Sequence, residues 1–225
     1  MIYYERNLPH YQPEKSIFFI TFRLADSIPV ELLGILRKEF LIEKNKIIHG
    51  VLSLDVYRRK IYDLQKKYFG KYDELLDSLK YGPSWLANTD VARCVTNKLM
   101  EFCESKYELI SYSLLPNHVH LVFLPNEDQI ISSDNLKGKT KNYPVADTMR
   151  LIKGATAREA NRILGRTGRF WHHESLDHVV RNDQELDSII HYVMYNPVKA
   201  GLVYNQTDWK WSYSIYEPTA REKLS

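Results

Sequence analysis

The sequence is poorest in the features that would mark an exported, membrane-embedded or disulfide-held protein. Only two of its 225 residues are cysteine, Cys94 and Cys103. That is too few for a disulfide framework, and their spacing is not that of zinc ligands. Two small buried thiols in a reducing compartment are expected instead. No run of about 18 apolar residues occurs, so the sequence offers no membrane span. The opening Met1-Ile2-Tyr3-Tyr4-Glu5-Arg6 lacks the basic-then-apolar order of a secretory signal, and a cytoplasmic chain is expected. Internal repeats and low-complexity segments are missing as well.

What is present is ordinary in bulk and uneven in detail. A hydrophobic fraction of 44% supports a core, and 26% charged residues are normal for a water-facing chain. The length suits one domain, 1–225, with an insertion and a C-terminal tail from about residue 204. Net charge is only +3. Between Lys137 and Arg169, however, nine cations face two acids, Asp147 and Glu159, so the rest of the chain is net negative. A basic stretch in a near-neutral chain suits a polyanion track; the plainer alternative is a solvated helix face.

Periodicity orders the elements. Residues 17–24 are β-branched and aromatic and read as a strand. Pro29 precedes a helical pattern through Leu32, Leu33, Leu36 and Phe40. Residues 41–88, rich in Lys, Tyr and Asp, read as a helical insertion. A helix is expected over 90–106, then strands over 107–115 and 118–124 split by Pro116-Asn117. A polar loop follows over 125–143. The basic stretch continues as a helix over 146–164, and Gly165 to Arg169 ends it. Residues 178–181 read as a short strand. Asn182 with Glu185 three positions on is a capping box, opening a helix that should stop near Asn196 ahead of Pro197. Strands and helices without regular βαβ alternation argue for an α+β fold with helices against a largely antiparallel sheet.

Two small groups of residues carry chemistry. His118 and His120 lie two apart on a strand, so both imidazoles point to one face and Val119 to the other. Such a pair can share one divalent ion; two surface histidines on an edge strand are the alternative. On the helix from Asp183, Leu186, Ile189, Ile190 and Val193 form the buried stripe. Tyr192 and Asn196, four apart, share the flank of that stripe, and His191 and Tyr195 fall on the solvent side. Geometry thus favours Tyr192 over Tyr195 as the tyrosine that leans toward the sheet.

Leu115-Pro116-Asn117-His118-Val119-His120-Leu121-Val122 resembles the histidine–hydrophobic–histidine (HUH) motif of the IS200-like single-tyrosine transposases. Arg169-Phe170-Trp171 and Asp177 to Arg181 are similar to the segment before their catalytic helix, and His191 to Val203 to that helix and its end. Trp209-Lys210-Trp211-Ser212-Tyr213 resembles the closing motif of one branch, the REP-associated tyrosine transposases. Phe19 to Arg23 resembles their first strand. The motifs run in order from about residue 16 to 213, and residues 41–88 match none of them.

The resemblance implies a ferredoxin-like antiparallel sheet flanked by helices, with the two histidines on a central strand and the tyrosine helix nearby. It implies metal-dependent cleavage and transfer of single-stranded DNA through a 5′-phosphotyrosine, acting on REP-like hairpins. His118 and His120 fall on its metal ligands and Tyr192 on its nucleophile. Asn196 stands where related transposases carry a glutamine ligand one methylene longer, reaching the ion directly or through water. The donor set suits Mg²⁺ or Mn²⁺. Arg150, Lys153 and Arg158 are candidates for phosphate contact, and Arg169 with Trp171 for clamping or stacking a base, with core packing the alternative for Trp171. A bacterial, nucleoid-associated location and a monomer or homodimer are expected. The competing readings are a catalytically silent hairpin-binding protein and a metal-dependent nicking nuclease without a covalent intermediate.

Overall fold

The computed structural model describes residues 2–5, 9–12, 16–50, 53–103, 105–126 and 144–216. Lys137, Lys139 and Lys141 of the basic stretch, with most of the expected polar loop, lie outside these. The chain divides into two compact units: Met1–Ala25 with Ser84–Ser225, and Asp26–Pro83. Among the described residues, no helix is long and apolar enough to cross a membrane.

The larger unit is built on a five-stranded antiparallel sheet. In chain order its elements are a hairpin of β1 (Ile2–Glu5) and β2 (Pro9–Gln12), then β3 (Phe18–Leu24), α3 (Thr89–Phe102), β4 (Tyr107–Leu114), β5 (His118–Pro125), α4 (Pro144–Ile163), β6 (Trp171–Val179), α5 (Asp183–Lys199) and β7 (Ser212–Ser214). Helices α1 and α2 belong to the other unit. The strands stand in the order β6-β3-β5-β4-β7, every neighbouring pair antiparallel. From β3 to β6 this is the split βαββαβ plan of a ferredoxin-like sheet, with β7 added at one edge. The α+β antiparallel fold expected from the sequence is the one observed.

Strand alternation sorts residues onto two faces. Phe18, Ile20, Phe22 and Leu24 of β3 join Val119, Leu121 and Phe123 of β5 in the main core, where Val91, Val95 and Leu99 of α3 and Met149 and Ile152 of α4 cover them. The opposite face carries Phe19, Thr21, His118 and His120. Helix α5 lies against this face, packing on β4, β5 and β7. Its buried stripe is Leu186, Ile190, Val193 and Met194.

Two expectations shift. Strand β6 is nine residues, not four, because β3 pairs with it from Phe18–Val179 up to Leu24–Trp171 across a bulge. Helix α5 does not stop at Asn196. Pro197 sits inside it, and the Ala200 and Leu202 N–H groups donate to the carbonyls of Asn196 and Pro197, so the last turn closes beyond the proline. Proline costs one helical hydrogen bond and crowds the preceding turn, and burial of Asn196 and Pro197 favours keeping both in the helix.

The unit Asp26–Pro83 is a pair of helices, α1 (Val30–His49) and α2 (Leu54–Asp77). Glu39 pairs with Lys71 at 2.6 Å and Glu43 with Lys67 at 2.8 Å, and the Phe40 and Tyr68 rings meet edge-on at 5.4 Å. Partners descend on α1 as they rise on α2, so the helices are antiparallel. Gly82, at φ +68, closes the unit: a Cβ there would lie 2.2 Å from the Asp26 carbonyl oxygen, so only glycine fits.

Candidate active site

The β4–β5 turn sets the first histidine. The Leu115 N–H donates to the His118 carbonyl, and the outer side of the turn is held where Leu24 and Leu86 donate to the carbonyls of Asn117 and Pro116. Asn117 is buried, and the His118 Nδ1–H donates to its Oδ1 at 2.6 Å. Two residues on, His120 faces the same way. Its Nδ1 lies 2.8 Å from Thr21 Oγ1, because Thr21 is its register partner on β3. Both imidazoles are fully buried.

With each Nδ1 engaged, the two Nε2 atoms converge, 3.1 Å apart. Ligand bonds of about 2.1 Å at 90–110° separate two donor atoms by roughly 3.0–3.4 Å, so the pair fits one shared cation. Protonation supports the same fit. An Nδ1–H given to Asn117 leaves the His118 Nε2 with a bare lone pair. If His120 likewise donates to Thr21, two lone pairs face each other, an arrangement a cation relieves. If Thr21 donates instead, His120 Nε2–H bonds to His118 without one. Ring nitrogens oriented through a second hydrogen bond are the usual setting of metal-ligating histidine.

Helix α5 supplies the tyrosine. The Asn182 side chain accepts the Glu185 N–H at 2.9 Å, and the Glu185 carboxylate accepts from the Arg181 N–H and from His178. That start fixes the helix rotation, which places Tyr192 half-buried over the sheet. Its ring is 5.5 Å from that of His120 and 6.2 Å from that of Phe19, both edge-on. Asn196 is fully buried and its Nδ2 donates to the Tyr192 hydroxyl at 3.1 Å. The Lys199 ammonium lies 5.4 Å from the centre of the same ring. Tyr195, 47% exposed, stacks on His191 away from the sheet. The structure therefore brings Tyr192, His118, His120 and Asn196 into one place.

The basic helix divides its charges. Arg158 is exposed on α4, as is Arg169 beyond it. Arg150 is exposed and paired with Asp147 at 3.5 Å. Lys153 is directed elsewhere: its ammonium donates to the carbonyls of His172, His173 and Glu174 at 2.9–3.2 Å, tying α4 to the bulged end of β6. Burial, with the Arg23 charge adding, pushes its pKa down to about 7. Trp171 takes the core alternative. It is 5% exposed, packs edge-on against Phe22 and Phe170, and donates its indole N–H to Thr156 at 2.9 Å, so no face is left for a base. Sequence reasoning missed Thr21 and Asn117 as orienting residues; the register partner of each histidine was the signal that would have found Thr21.

No family model matches the chain. A curated protein of Haemophilus influenzae, provisionally named a REP-associated tyrosine transposase, is 29% identical over 126 residues, 55% of this chain and 69% of that protein. A solved structure of a REP-associated tyrosine transposase bound to a REP hairpin covers 94% of this chain and 82% of its own, at 14% identity and a TM-score of 0.48. The topology rests on the strand order itself, not on that loose likeness. The family resemblance of the motifs and the curated relative agree: the chain is a relative of the REP-associated tyrosine transposases.

Proposed function

We propose that the chain cuts and rejoins single-stranded DNA, with Tyr192 as the nucleophile and His118 and His120 as ligands of a divalent cation, Mg²⁺ or Mn²⁺. The observation that carries this reading is the convergence of two buried imidazole Nε2 atoms, 3.1 Å apart, with a tyrosine ring 5.5 Å away. Asn196 is the proposed third ligand, through its Oδ1, directly or through water. Bound there, the cation would offset phosphodiester charge as a Lewis acid.

The residues of the chain supply the rest. The Tyr192 oxygen forms the bond to phosphorus and the bond to the 3′ oxygen breaks. The phenol proton passes to water, and the departing 3′ oxygen takes up a proton. The phosphotyrosine keeps the energy of the broken linkage, so a DNA 3′-hydroxyl can reverse the step. A phenol with a pKa near 10 is a weak nucleophile at neutral pH. The hydrogen bond from Asn196 and the nearby Lys199 charge favour its phenolate, and Phe19 steadies the ring. Arg150, Arg158 and Arg169 are the proposed phosphate contacts. Single-stranded DNA with a hairpin is the proposed substrate, as the family resemblance implies, and with it a bacterial nucleoid-associated setting.

Labelled hairpin DNA incubated with the protein and Mn²⁺, then run on a denaturing gel, separates three outcomes. A covalent adduct absent from Tyr192→Phe supports the proposal. Binding without cleavage would mark a silent hairpin binder. Cleavage without an adduct would mark a nuclease that uses water.

A further inference from the structure

The turn that follows α4 holds a flat cation against an aromatic ring. The Arg166 guanidinium carbon lies 3.6 Å from the centre of the Trp85 ring. That is the contact separation of two flat groups, so guanidinium and indole lie face to face. Trp85 in turn stacks on Phe170, with ring centres 5.5 Å apart and planes at 25°. Phe170 is buried, whereas Trp85 and Arg166 are half-buried, so the stack runs from the core to the surface.

A surface arginine has much rotamer freedom, and this one is fixed. Its Nη1 donates to Asn161 Oδ1 at 2.5 Å and its Nη2 to the Arg169 carbonyl at 3.2 Å. Asn161 also shapes the turn: its Nδ2 donates to the Gly168 carbonyl at 2.9 Å, and its own carbonyl accepts the Arg166 N–H. Guanidinium N–H groups lie in the guanidinium plane, so these bonds set the plane and leave its faces to flat partners. Arg150 and Arg162 of α4 pair with Asp147 and Glu159. Neither Arg166 nor Arg169 occurs in an ion pair among the described residues.

The stack stands at the end of the sheet that carries His118. Leu86, next to Trp85, donates its N–H to the Pro116 carbonyl at 3.1 Å, and Ala25 donates to the Phe170 carbonyl at 2.8 Å. Pro116 adjoins Asn117, whose side chain orients His118. A cation with a fixed plane and no paired carboxylate fits a flat, electron-rich group on an anionic chain. An unpaired nucleobase is such a group. Bases stack on arginine planes as they do on aromatic rings, and the flanking phosphates can take the charge of Arg169. A base within a duplex has both faces covered, so the site selects unpaired nucleotides.

We propose that Arg166, backed by Trp85, is the stacking site for one unpaired base of the DNA strand, a role that the core position of Trp171 denies to that residue. The proposal rests on the single-stranded-DNA reading given above, but it involves neither the metal ligands nor Tyr192.

Fluorescence anisotropy with labelled hairpin DNA bearing unpaired flanks tests it, in EDTA so that no strand is cut. The wild type is expected to lose about tenfold in affinity when one particular flank position is made abasic, as removal of one stacked base does. Arg166→Lys keeps the charge and loses the plane. It should bind the intact flank about tenfold more weakly, and the same abasic position should then cost nothing further. A blunt stem without flanks should bind both proteins equally. An arginine that only shields Trp85 gives another pattern. Wild-type affinity in Arg166→Lys, an abasic penalty that persists there in full, or an equal loss on the blunt stem would each overturn the stacking site. So would a wild type indifferent to abasic positions throughout the flanks, a result that does not depend on how the variant folds. A wild type that binds no DNA would overturn the DNA reading as well, whereas the other failures leave that reading standing.

Discussion

Tyr192 and Tyr195 sit three positions apart on one helix, and the fold gives them opposite surroundings. Tyr192 points at the sheet beside His120, with Asn196 on its hydroxyl, and Tyr195 stacks on His191 in solvent. Tyr192→Phe is therefore expected to lower strand transfer by at least about a thousandfold, as loss of a nucleophile does. Tyr195→Phe should leave the rate within a factor of about two; single-turnover assays on hairpin DNA measure both. Thr21→Val removes the group that orients His120 and should weaken Mn²⁺ binding about ten- to a hundredfold by titration calorimetry, with little change in the fold. The sequence shows which tyrosine faces inward because helical spacing alone decides it. The role of Thr21 is not visible there, because strand register sets it beside His120; Asn117 is next to His118 in sequence, but only the folded turn aims its side chain at the ring.

At the scale of the element, β6 and α4 are the parts where sequence and structure part company. Residues 171–177 lack a strand-like alternation, yet pairing with β3 and the three carbonyls gathered by Lys153 make them an edge strand. Trp171 was legible as an aromatic beside a basic segment, equally suited to a base or to the core; the Thr156 hydrogen bond and two aromatic neighbours decide for the core. Trp171→Ala should accordingly cost about 3–5 kcal/mol in urea denaturation, where a base-stacking tryptophan would cost little. The same edge gives a pH dependence. Burial, then the Arg23 charge, pulls the His172 pKa from 6.5 to about 4. Between those values the unfolded chain binds the proton and the native chain does not, so stability falls as pH drops through that window. In His172→Gln the midpoint of urea unfolding should fall less steeply from pH 6.5 to pH 4 than in the wild type.

For the whole molecule, the α+β class could be read from the sequence, as could the shared face of His118 and His120 and the inward side of Tyr192, because alternation on β5 and rotation of α5 are local properties; that the strand and the helix meet was implied only by the family resemblance. The strand order that sets β5 in the middle of the sheet comes from long-range pairing, and no window of the sequence displays it. The helical pattern expected from Pro29 through Phe40 and the helical stretch expected over 41–88 are not separate: α1 runs unbroken from Val30 to His49, and α2 follows over Leu54–Asp77. The central claim is a covalent bond between Tyr192 and DNA. Its most direct measurement is tryptic mass spectrometry of the product formed with single-stranded hairpin DNA and Mn²⁺. The account predicts a nucleotide carried through a phosphodiester on the peptide 182–199, at Tyr192. Cleaved DNA with that peptide unmodified, or the nucleotide on Tyr195, would contradict it.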